Sequence, residues 1–153
     1  MCTSAHAEAP SKHKPTFGVG YKVGNGVGSI GADIIVSPIP HLSFELQASW
    51  LSDFDSGYAV LPSVVASLWD QGSTPYIKAG ALYLSATLDD ATGTGTGGFA
   101  NIGYEWKLQS GLGIQLGGGV SYIQDRTVVS DNQIASIGGK VNPNLELGLR
   151  YRF

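Results

Sequence analysis

Three polar residues at alternate positions, His41, Ser43 and Glu45, have the clearest potential for catalysis in this sequence. A histidine beside a hydroxyl can act as the base that activates it as a nucleophile, and a carboxylate can orient the histidine. His41, however, closes the segment SPIPH, whose prolines indicate a turn, whereas Ser43 and Glu45 belong to the alternating segment that follows. The favoured interpretation is a turn histidine beside a serine, without catalysis.

Apart from the acidic connections considered below, no other part of the sequence offers a cofactor or metal site. His13 lies in the N-terminal tail and His6 in the suspected signal-peptide remnant. The sequence contains no metal-ligand spacing and no nucleotide-binding loop. We therefore expect no enzyme activity, no metal and no cofactor.

Charge is concentrated at alternate positions of several segments. Four acids and five bases share one face of these segments: Asp33, Glu45, Glu105 and Glu146 with Lys22, Lys78, Lys107, Arg150 and Arg152. If that face is enclosed, unpaired ions there are costly in free energy. The pattern predicts an interlocked network of salt bridges.

The segments that carry these charges are about 10 residues long, alternate apolar with polar residues, and are separated by turn-forming stretches. Successive side chains of a strand point to opposite faces, so each segment predicts a β-strand. The C-terminal LELGLRYRF shows this most simply, with Leu, Leu, Leu, Tyr and Phe alternating with Glu, Gly, Arg and Arg. Eight strands are predicted, at residues 16–24, 28–37, 42–50, 58–68, 75–85, 98–108, 112–123 and 145–153.

Alternation alone leaves open which face is enclosed, because a soluble barrel encloses its apolar rows and a membrane barrel exposes them to lipid. Glycine recurs on the polar face, where a crowded interior benefits from missing side chains. Aromatic residues on the apolar face cluster near strand ends, as in an aromatic girdle: Trp50, Tyr58, Tyr83 and Tyr122 toward one rim, Trp106, Tyr151 and Phe153 toward the other. We predict an all-β protein, an eight-stranded antiparallel up-and-down transmembrane β-barrel with a polar lumen.

Composition agrees with this fold class. Charged residues are 14% of the 153 residues, there are 22 glycines, and the net charge of -3 gives no sign of a nucleic-acid partner. The longest apolar run, residues 58–69, contains Pro62 and has about 12 residues, short of the roughly 20 that a spanning helix needs. A transmembrane helix is therefore excluded.

The connections predict an orientation. The segments SPIPH, DQGST and QSG are short, whereas LDDATGTGTG and residues 124–140 form longer connections. Short turns at one rim and long loops at the other are typical of outer-membrane barrels, whose short turns are periplasmic. An even number of strands then places both termini in the periplasm.

The N-terminal region is interpreted as processed sequence. Ala5, His6 and Ala7 before Glu8 fit a small-x-small cleavage pattern, although the basic and apolar regions of a signal peptide are absent before them. A disordered tail that happens to contain these alanines is the alternative. Residues 1–14 are thus predicted to be a signal-peptide remnant and periplasmic tail, and residues 15–153 the barrel domain.

Residues 15–153 resemble the small eight-stranded bacterial outer-membrane β-barrels, the class of OmpX, Ail, the OmpA transmembrane domain and OmpW. LRYRF is similar to the C-terminal insertion signature of that class, and PYIKAGALY, residues 75–83, is similar to a fifth-strand motif of OmpA-like and OmpW-like barrels. The resemblance implies that the barrel-assembly machinery reads Leu149, Tyr151 and Phe153. It also implies an outer-membrane location, contact with membrane lipid and lipopolysaccharide, and a monomer.

Two classes of function remain. The preferred one is a structural or surface-interaction barrel whose charge network fills the lumen. The alternative is passive transport of small or hydrophobic molecules, as in OmpW-like barrels, with an apolar pocket at Leu61, Val65, Leu82 and Leu84 and a break in the wall at Pro62. Lipid A deacylases of similar size use a His-x-Ser pair, but the residues around His41 do not match their motif.

The longer connections are acidic, through Asp53, Asp55, Asp89, Asp90, Asp125 and Asp131. Solvated carboxylates that keep the rim soluble are the expected explanation. Binding of calcium or magnesium that bridges lipopolysaccharide phosphates is the alternative.

Overall fold

The structure, a computed structural model of the chain, describes residues 15–24, 29–51, 56–69, 72–88, 91–130, 133–137 and 139–153. At residues 29, 88, 91, 125–130 and 133–137 it describes the backbone alone. The predicted signal-peptide remnant and tail, residues 1–14, lie outside the described residues. The same holds for the carboxylates of the acidic connections: Asp53, Asp55, Asp89, Asp90, Asp125 and Asp131.

Nine β-strands make up most of the described chain. They are β1 (Thr16–Gly24), β2 (Ser29–Ile39), β3 (Leu42–Leu51), β4 (Ser56–Ser67), β5 (Thr74–Leu88), β6 (Ala91–Lys107), β7 (Leu112–Ser130), β8 (Gln133–Ile137) and β9 (Lys140–Arg152). Within the described ranges, no helix is long and apolar enough to cross a membrane.

Eight of these strands close into a ring. Strands β1 to β6 pair antiparallel with their chain neighbours, β6 pairs with β7, β7 with β9, and β9 with β1. Strand β8 pairs with the end of β7, beyond the ring. The predicted eight-stranded antiparallel up-and-down barrel is confirmed. A closed ring pairs the backbone polar groups of every strand, which a lipid environment requires.

The two rims of the barrel differ. The terminal rim, where β1 begins and β9 ends, carries the described parts of three connections, at residues 40–41, at 68–69 and 72–73, and at 108–111. Phe17, near the start of β1, and Phe153, just after β9, are joined there through reciprocal backbone hydrogen bonds of 3.4 and 3.0 Å. The hairpin rim, opposite, carries the projecting β5–β6 and β7–β8 hairpins.

The prediction of long loops at the hairpin rim is wrong for two connections. β5 continues to Leu88 and β6 begins at Ala91, so most of LDDATGTGTG is paired strand. β7 continues to Ser130 and β9 already begins at Lys140. The alternating threonines and glycines suggested turn chemistry, but threonine is β-branched and favours strands when a partner strand is available.

The apolar rows face outward and the polar rows inward. On β3, Phe44, Leu46 and Trp50 are 51%, 50% and 68% exposed, whereas Glu45 and Gln47 between them are 3% and 0% exposed. A water-soluble barrel of this kind shows the reverse arrangement. The outward row of β7 from Leu112 to Tyr122 covers about 26 Å, at about 3.4 Å per residue and a tilt of about 40°, which matches the apolar band of a membrane barrel.

Pro62 lies within β4 and interrupts one of its two ladders. Toward β3 the pairing continues through Leu46 and Pro62. Toward β5 the paired residues are Val60 with Tyr83 and then Ser63 with Gly80, so pairing is interrupted opposite Pro62. Proline has no backbone N–H to donate, which explains the interruption.

Candidate functional site in the barrel lumen

Four side chains form a ring of alternating charge across the lumen. Lys22 Nζ lies 2.7 Å from Glu45 Oε1 and 3.1 Å from Glu146 Oε1. Lys78 Nζ lies 2.9 Å from Glu45 Oε1 and 2.5 Å from Glu146 Oε2. All four side chains are at most 1% exposed. Each lysine therefore bridges both glutamates, and the four strands β1, β3, β5 and β9 are held together across the interior.

Arg150 extends this ring toward the terminal rim. Its Nη2 donates to Asp33 Oδ2 at 2.8 Å and to Glu45 Oε2. Glu45 thus faces three cations, and Asp33 supplies the third acid that balances them. The charges of this six-residue cluster sum to zero, as the high cost of a buried unpaired ion requires.

Neutral polar side chains complete the coordination of Glu146. Tyr76 Oη donates to Glu146 Oε1 at 3.4 Å, and Asn101 Nδ2 donates to Glu146 Oε2 at 3.3 Å. Asn144 Nδ2 in turn donates to Asn101 Oδ1 at 2.8 Å. These three residues were not predicted as site residues, although their inward position follows from the same alternation.

The remaining predicted charges lie nearer the terminal rim. Arg152 and Glu105 form an ion pair separate from the central cluster. Arg152 Nη1 lies 2.6 Å from Glu105 Oε1, and Arg152 Nη2 lies 2.9 Å from Glu105 Oε2. Lys107 is half-buried and lines the mouth of the lumen with Arg152. Of the nine predicted lumen charges, the structure thus brings six into the central cluster, two into this pair, and one to the mouth.

Inward glycines provide the space that these long side chains occupy. The ring of Tyr76 lies over two of them: a Cβ atom added at Gly103 or at Gly117 falls 2.5 Å from Tyr76 Oη. A Cβ added at Gly148 lies 3.2 Å from Lys22 Cγ. Contacts this short force neighbouring atoms to shift, so the glycines are matched to the size of the facing residues.

An apolar cluster fills the lumen between the charge cluster and the hairpin rim. Its buried members are Leu51, Ala59, Leu61, Leu82, Ala86, Phe99 and Ile123, with Leu84 packed against them. Each buried member is at most 8% exposed, so the cluster is a packed plug. Lys78 Nζ lies 5.4 Å from the centre of the Phe99 ring and joins the two layers through a cation–π contact.

The apolar pocket predicted from four residues is only partly matched by this plug. Leu61, Leu82 and Leu84 belong to it, but Val65 is buried elsewhere in the lumen. Leu51, Phe99 and Ile123 were missed because they lie at or beyond the ends of the clearest alternating segments. Extending the alternation by one or two residues identifies all three as inward.

The predicted girdle residues all lie on the outer surface. Trp50, Tyr58, Tyr83, Trp106, Tyr122 and Tyr151 are 40–68% exposed. Near the hairpin rim, Trp50 pairs with Tyr58, whose ring centre lies 6.2 Å from that of Tyr83. Near the terminal rim, ring centres lie 5.0 Å apart for Tyr104 and Trp106 and 6.0 Å apart for Tyr151 and Phe153.

The predicted assembly signal forms one exposed row. Leu149 points outward, as do Tyr151 and Phe153.

His41 and Ser43 have separate partners. His41 occupies the turn between β2 and β3 with φ of 66°, and its Nδ1 lies 3.1 Å from the backbone oxygen of Ser67. Ser43 Oγ lies 2.7 Å from Ser37 Oγ inside the lumen. Among the described residues, no group of three or more His, Cys, Asp or Glu side chains is arranged to hold a metal ion.

A closed ring of eight strands with an apolar exterior and an ionic interior defines a small transmembrane β-barrel of the outer-membrane kind. No protein-family model matches the sequence, and comparison with curated protein sequences finds no match. Solved structures of the same fold are nevertheless similar to it.

The N-terminal β-barrel domain of Pseudomonas aeruginosa OprF superposes with a TM-score of 0.63 at 14% identity, over 90% of this chain and 97% of that one. Neisserial surface protein A, NspA, gives a TM-score of 0.54 at 15% identity, over 91% and 96%. A major outer membrane protein from Thermus thermophilus gives 0.55 at 16% identity, over 92% and 100%. At these identities the likeness establishes the fold of the small outer-membrane barrels.

Proposed function

We propose that this chain is an outer-membrane barrel with a closed lumen, whose role is structural or lies in surface contacts made at the hairpin rim. The terminal rim, with its short turns, the start of β1 and the end of β9, faces the periplasm in this proposal. The protein acts as a monomer in contact with membrane lipid and lipopolysaccharide. The proposal assigns no catalytic role to His41 and Ser43, which are engaged with different partners.

The observation that carries this proposal is the closure of the lumen at two successive levels. The charge cluster of Lys22, Glu45, Lys78, Glu146, Asp33 and Arg150 spans the middle of the barrel. The apolar plug fills the space between it and the hairpin rim. A hydrated ion would have to cross a level with neutralised charge and then a level packed mainly with apolar side chains. Both crossings are unfavourable.

Conductance in planar lipid bilayers tests this proposal. The refolded wild-type protein should produce no steady single-channel steps, while a porin inserted into the same bilayers provides the positive control. Replacing plug residues in the double variant Leu61→Ser/Leu82→Ser leaves the charge cluster in place and should still give no steady current. Steady ohmic conductance of the wild-type protein would contradict a closed lumen and favour passive transport of small solutes.

A second candidate, passage of small hydrophobic molecules, is favoured by the wall beside Pro62. The β4–β5 ladder is interrupted there, and Leu61 and Leu82 of the plug lie at the same level inside. Outside, a depression of about 570 Å³ is lined by apolar residues including Phe44, Pro62 and Ala79. An apolar molecule has a route between plug and lipid only if this part of the wall opens.

Liposome uptake of a hydrophobic dye distinguishes the two candidates. If the wall opens at Pro62, wild-type protein should accelerate uptake, and Pro62→Val, which restores a backbone N–H donor, should abolish the acceleration. Ala66→Val, on the same face of β4, is the matched control and should retain it. Equal uptake with and without the protein supports the structural role.

The proposal includes recognition of the outward row Leu149, Tyr151 and Phe153 by the barrel-assembly machinery. Phe153 is exposed, and the structure ties it to Phe17 through backbone atoms, so its side chain is available for recognition. Phe153→Ala should therefore fold normally in detergent but accumulate more slowly in the outer membrane of cells. Equal rates of membrane accumulation for both forms would remove this part of the proposal.

A further inference from the structure

A groove of about 680 Å³ crosses the outer face of the barrel wall. One side of it is a row of outward residues that pair directly across five neighbouring strands: Ala66, Ile77, Ile102, Gly118 and Leu145. The other side is the next outward row, with Leu68, Pro75, Tyr104 and Leu116. The residues between the two rows form the floor, so the groove runs across the strands.

Small residues in the first row open the groove. Gly118 has no side chain, although its row neighbours on the adjacent strands are Ile102 and Leu145. A Cβ atom added at Gly118 meets no heavy atom closer than the backbone oxygen of Asn144, at 3.5 Å. A larger side chain at position 118 therefore has room to extend over the wall, where it fills the groove without disturbing the barrel.

The groove climbs from the terminal rim toward the middle of the barrel. At that rim β4 ends at Ser67, the residue after Ala66, whereas β9 ends at Arg152, seven residues after Leu145. Four spacings of about 4.8 Å between five strands give a path of about 19 Å. Because the strands tilt by about 40°, this path is inclined by about 50° to the barrel axis and rises about 12 Å. One leaflet contributes about 15 Å of hydrocarbon, half of the roughly 30 Å core, so the groove spans most of a leaflet.

A hydrocarbon chain fits this groove better than a second copy of the protein. The outward residues that line it are apolar or aromatic, and they belong to the face that contacts lipid. Two copies related by a two-fold axis along the membrane normal would present the same concave groove to each other. That contact leaves the volume of the groove unfilled and its lining without packing partners. A flexible chain that starts at the headgroup level and ends near the bilayer middle follows the groove along its whole length.

We propose that this groove binds one acyl chain of a membrane phospholipid. The headgroup lies at the terminal rim beside Leu68, and the end of the chain lies near Gly118 and Leu145. Trp69, next to Leu68, is 53% exposed at that rim, where indole rings contact lipid headgroups. A phospholipid held along this path exchanges more slowly than lipids elsewhere on the wall. The site requires the membrane barrel but does not depend on whether the lumen is closed.

Native mass spectrometry of the protein released from phosphatidylethanolamine nanodiscs tests the site. Wild type should retain one phospholipid, and Gly118→Leu should reduce the lipid-bound fraction roughly fivefold or more, because the leucine takes the contacts of the chain. Ala48→Leu, on the outward face of β3 and outside the groove, is the matched control and should retain the lipid. Heat-modifiable gel mobility verifies that each variant is folded. Absence of a retained lipid in wild type, or equal retention by the two leucine variants, would overturn the proposal.

Photo-crosslinking in the same nanodiscs then locates the chain. Phosphatidylethanolamine with a diazirine at the end of one acyl chain should label the wall around Gly118 and Leu145, and a diazirine next to the headgroup should label it around Leu68 and Pro75. Gly118→Leu should suppress both products, whereas Ala48→Leu should leave them unchanged. Labelling spread evenly over the outward rows would refute a defined site. A wild-type dimer in the native mass spectra that Gly118→Leu abolishes would assign the groove to a second copy and also refute it.

Discussion

Glu45 on β3 and Glu146 on β9 share both of their lysine partners, Lys22 and Lys78, through four contacts of 2.5 to 3.1 Å. In the order of the sheet, β2 and β1 separate the two glutamate strands. Three of the four contacts connect strands that have no common backbone ladder, and Lys22–Glu146 joins the paired strands β1 and β9. They brace the barrel wall from within, and this role predicts how the fold responds to substitution.

Reversing one charge of this ring should strongly destabilise the barrel. Glu146→Lys places a third ammonium group beside Lys22 and Lys78, and we expect a loss of about 3 to 5 kcal/mol in the free energy of unfolding, as when a buried ion pair is broken. Urea titration of the protein in lipid bilayers, followed by tryptophan fluorescence, measures this loss.

The matched control is Lys140→Glu, which also changes the charge by two but at an exposed position near the hairpin rim. Its effect on the free energy of unfolding should stay within about 0.5 kcal/mol. Equal stability of Glu146→Lys and wild type would show that water solvates the charge cluster, which would favour an open channel.

The fit between Tyr76 and the inward glycines predicts a specific coupling. Gly117→Ala places a methyl group 2.5 Å from Tyr76 Oη but 3.4 Å from Tyr76 Cζ, so the hydroxyl is the main obstacle. We expect a loss of about 1 to 3 kcal/mol from overpacking, and a smaller loss when the same substitution is made in Tyr76→Phe. A double-mutant cycle of unfolding free energies measures the difference.

Gly103 serves as the control for this cycle. A Cβ at Gly103 lies 2.5 Å from both Oη and Cζ of Tyr76, so removing the hydroxyl does not relieve the clash. Gly103→Ala should therefore cost a similar amount in the wild-type and Tyr76→Phe backgrounds. Identical behaviour of the two alanine variants would mean that the ring moves aside, contrary to a tightly packed lumen.

Much of this arrangement could be predicted from the sequence, because one alternation fixes both the strand and its two faces. The inward positions of Glu45 on β3 and Glu146 on β9 follow from parity along each strand, and the ring closure follows from the strand count. Which acid meets which base does not follow. Lys78 reaches Glu146 across the lumen, and that distance depends on the stagger between strands that alternation leaves undetermined.

The hairpin rim was the least predictable part of the fold. Leu51 and Ile123 lie at the ends of the predicted strands, where the alternation is weak, so the sequence predicted only a pocket at Leu61, Leu82 and Leu84, with Val65 wrongly included. The paired part of β6 that precedes Gly98, residues 91–97, was also missed. Glycine is a weak strand former, and only the pairing with β5 and β7 makes that stretch extended.

The cost of a charge on the outer surface should depend on depth along β9. Val141 pairs with Tyr122 of the girdle at the hairpin rim and Leu112 pairs with Tyr151 near the other rim, so Leu147 lies about midway. Leu147→Arg should cost about 2 to 4 kcal/mol, and Val141→Arg about 0 to 1 kcal/mol, because lipid at the midplane offers no water to the guanidinium. Unfolding free energies in lipid bilayers measure both, and equal costs would contradict a membrane-spanning β9.

Single-cysteine labelling along β9 tests the two faces directly. In a Cys2→Ser background, cysteines at positions 145 to 150 would each carry a fluorophore, in vesicles whose lipids bear a quencher on the acyl chain. Leu145, Leu147 and Leu149 are 69%, 52% and 51% exposed, whereas Glu146 and Arg150 are at most 1% exposed.

We expect quenching at the three odd positions and little at the even ones, where the label points into the lumen. Labels at Glu146, Gly148 and Arg150 also disturb the charge cluster, so heat-modifiable gel mobility verifies that each labelled variant is folded. The odd positions of a soluble barrel would be packed inside and shielded from lipid. Absence of quenching at both parities would therefore rule out the membrane barrel, and quenching at both would show that β9 has left the wall.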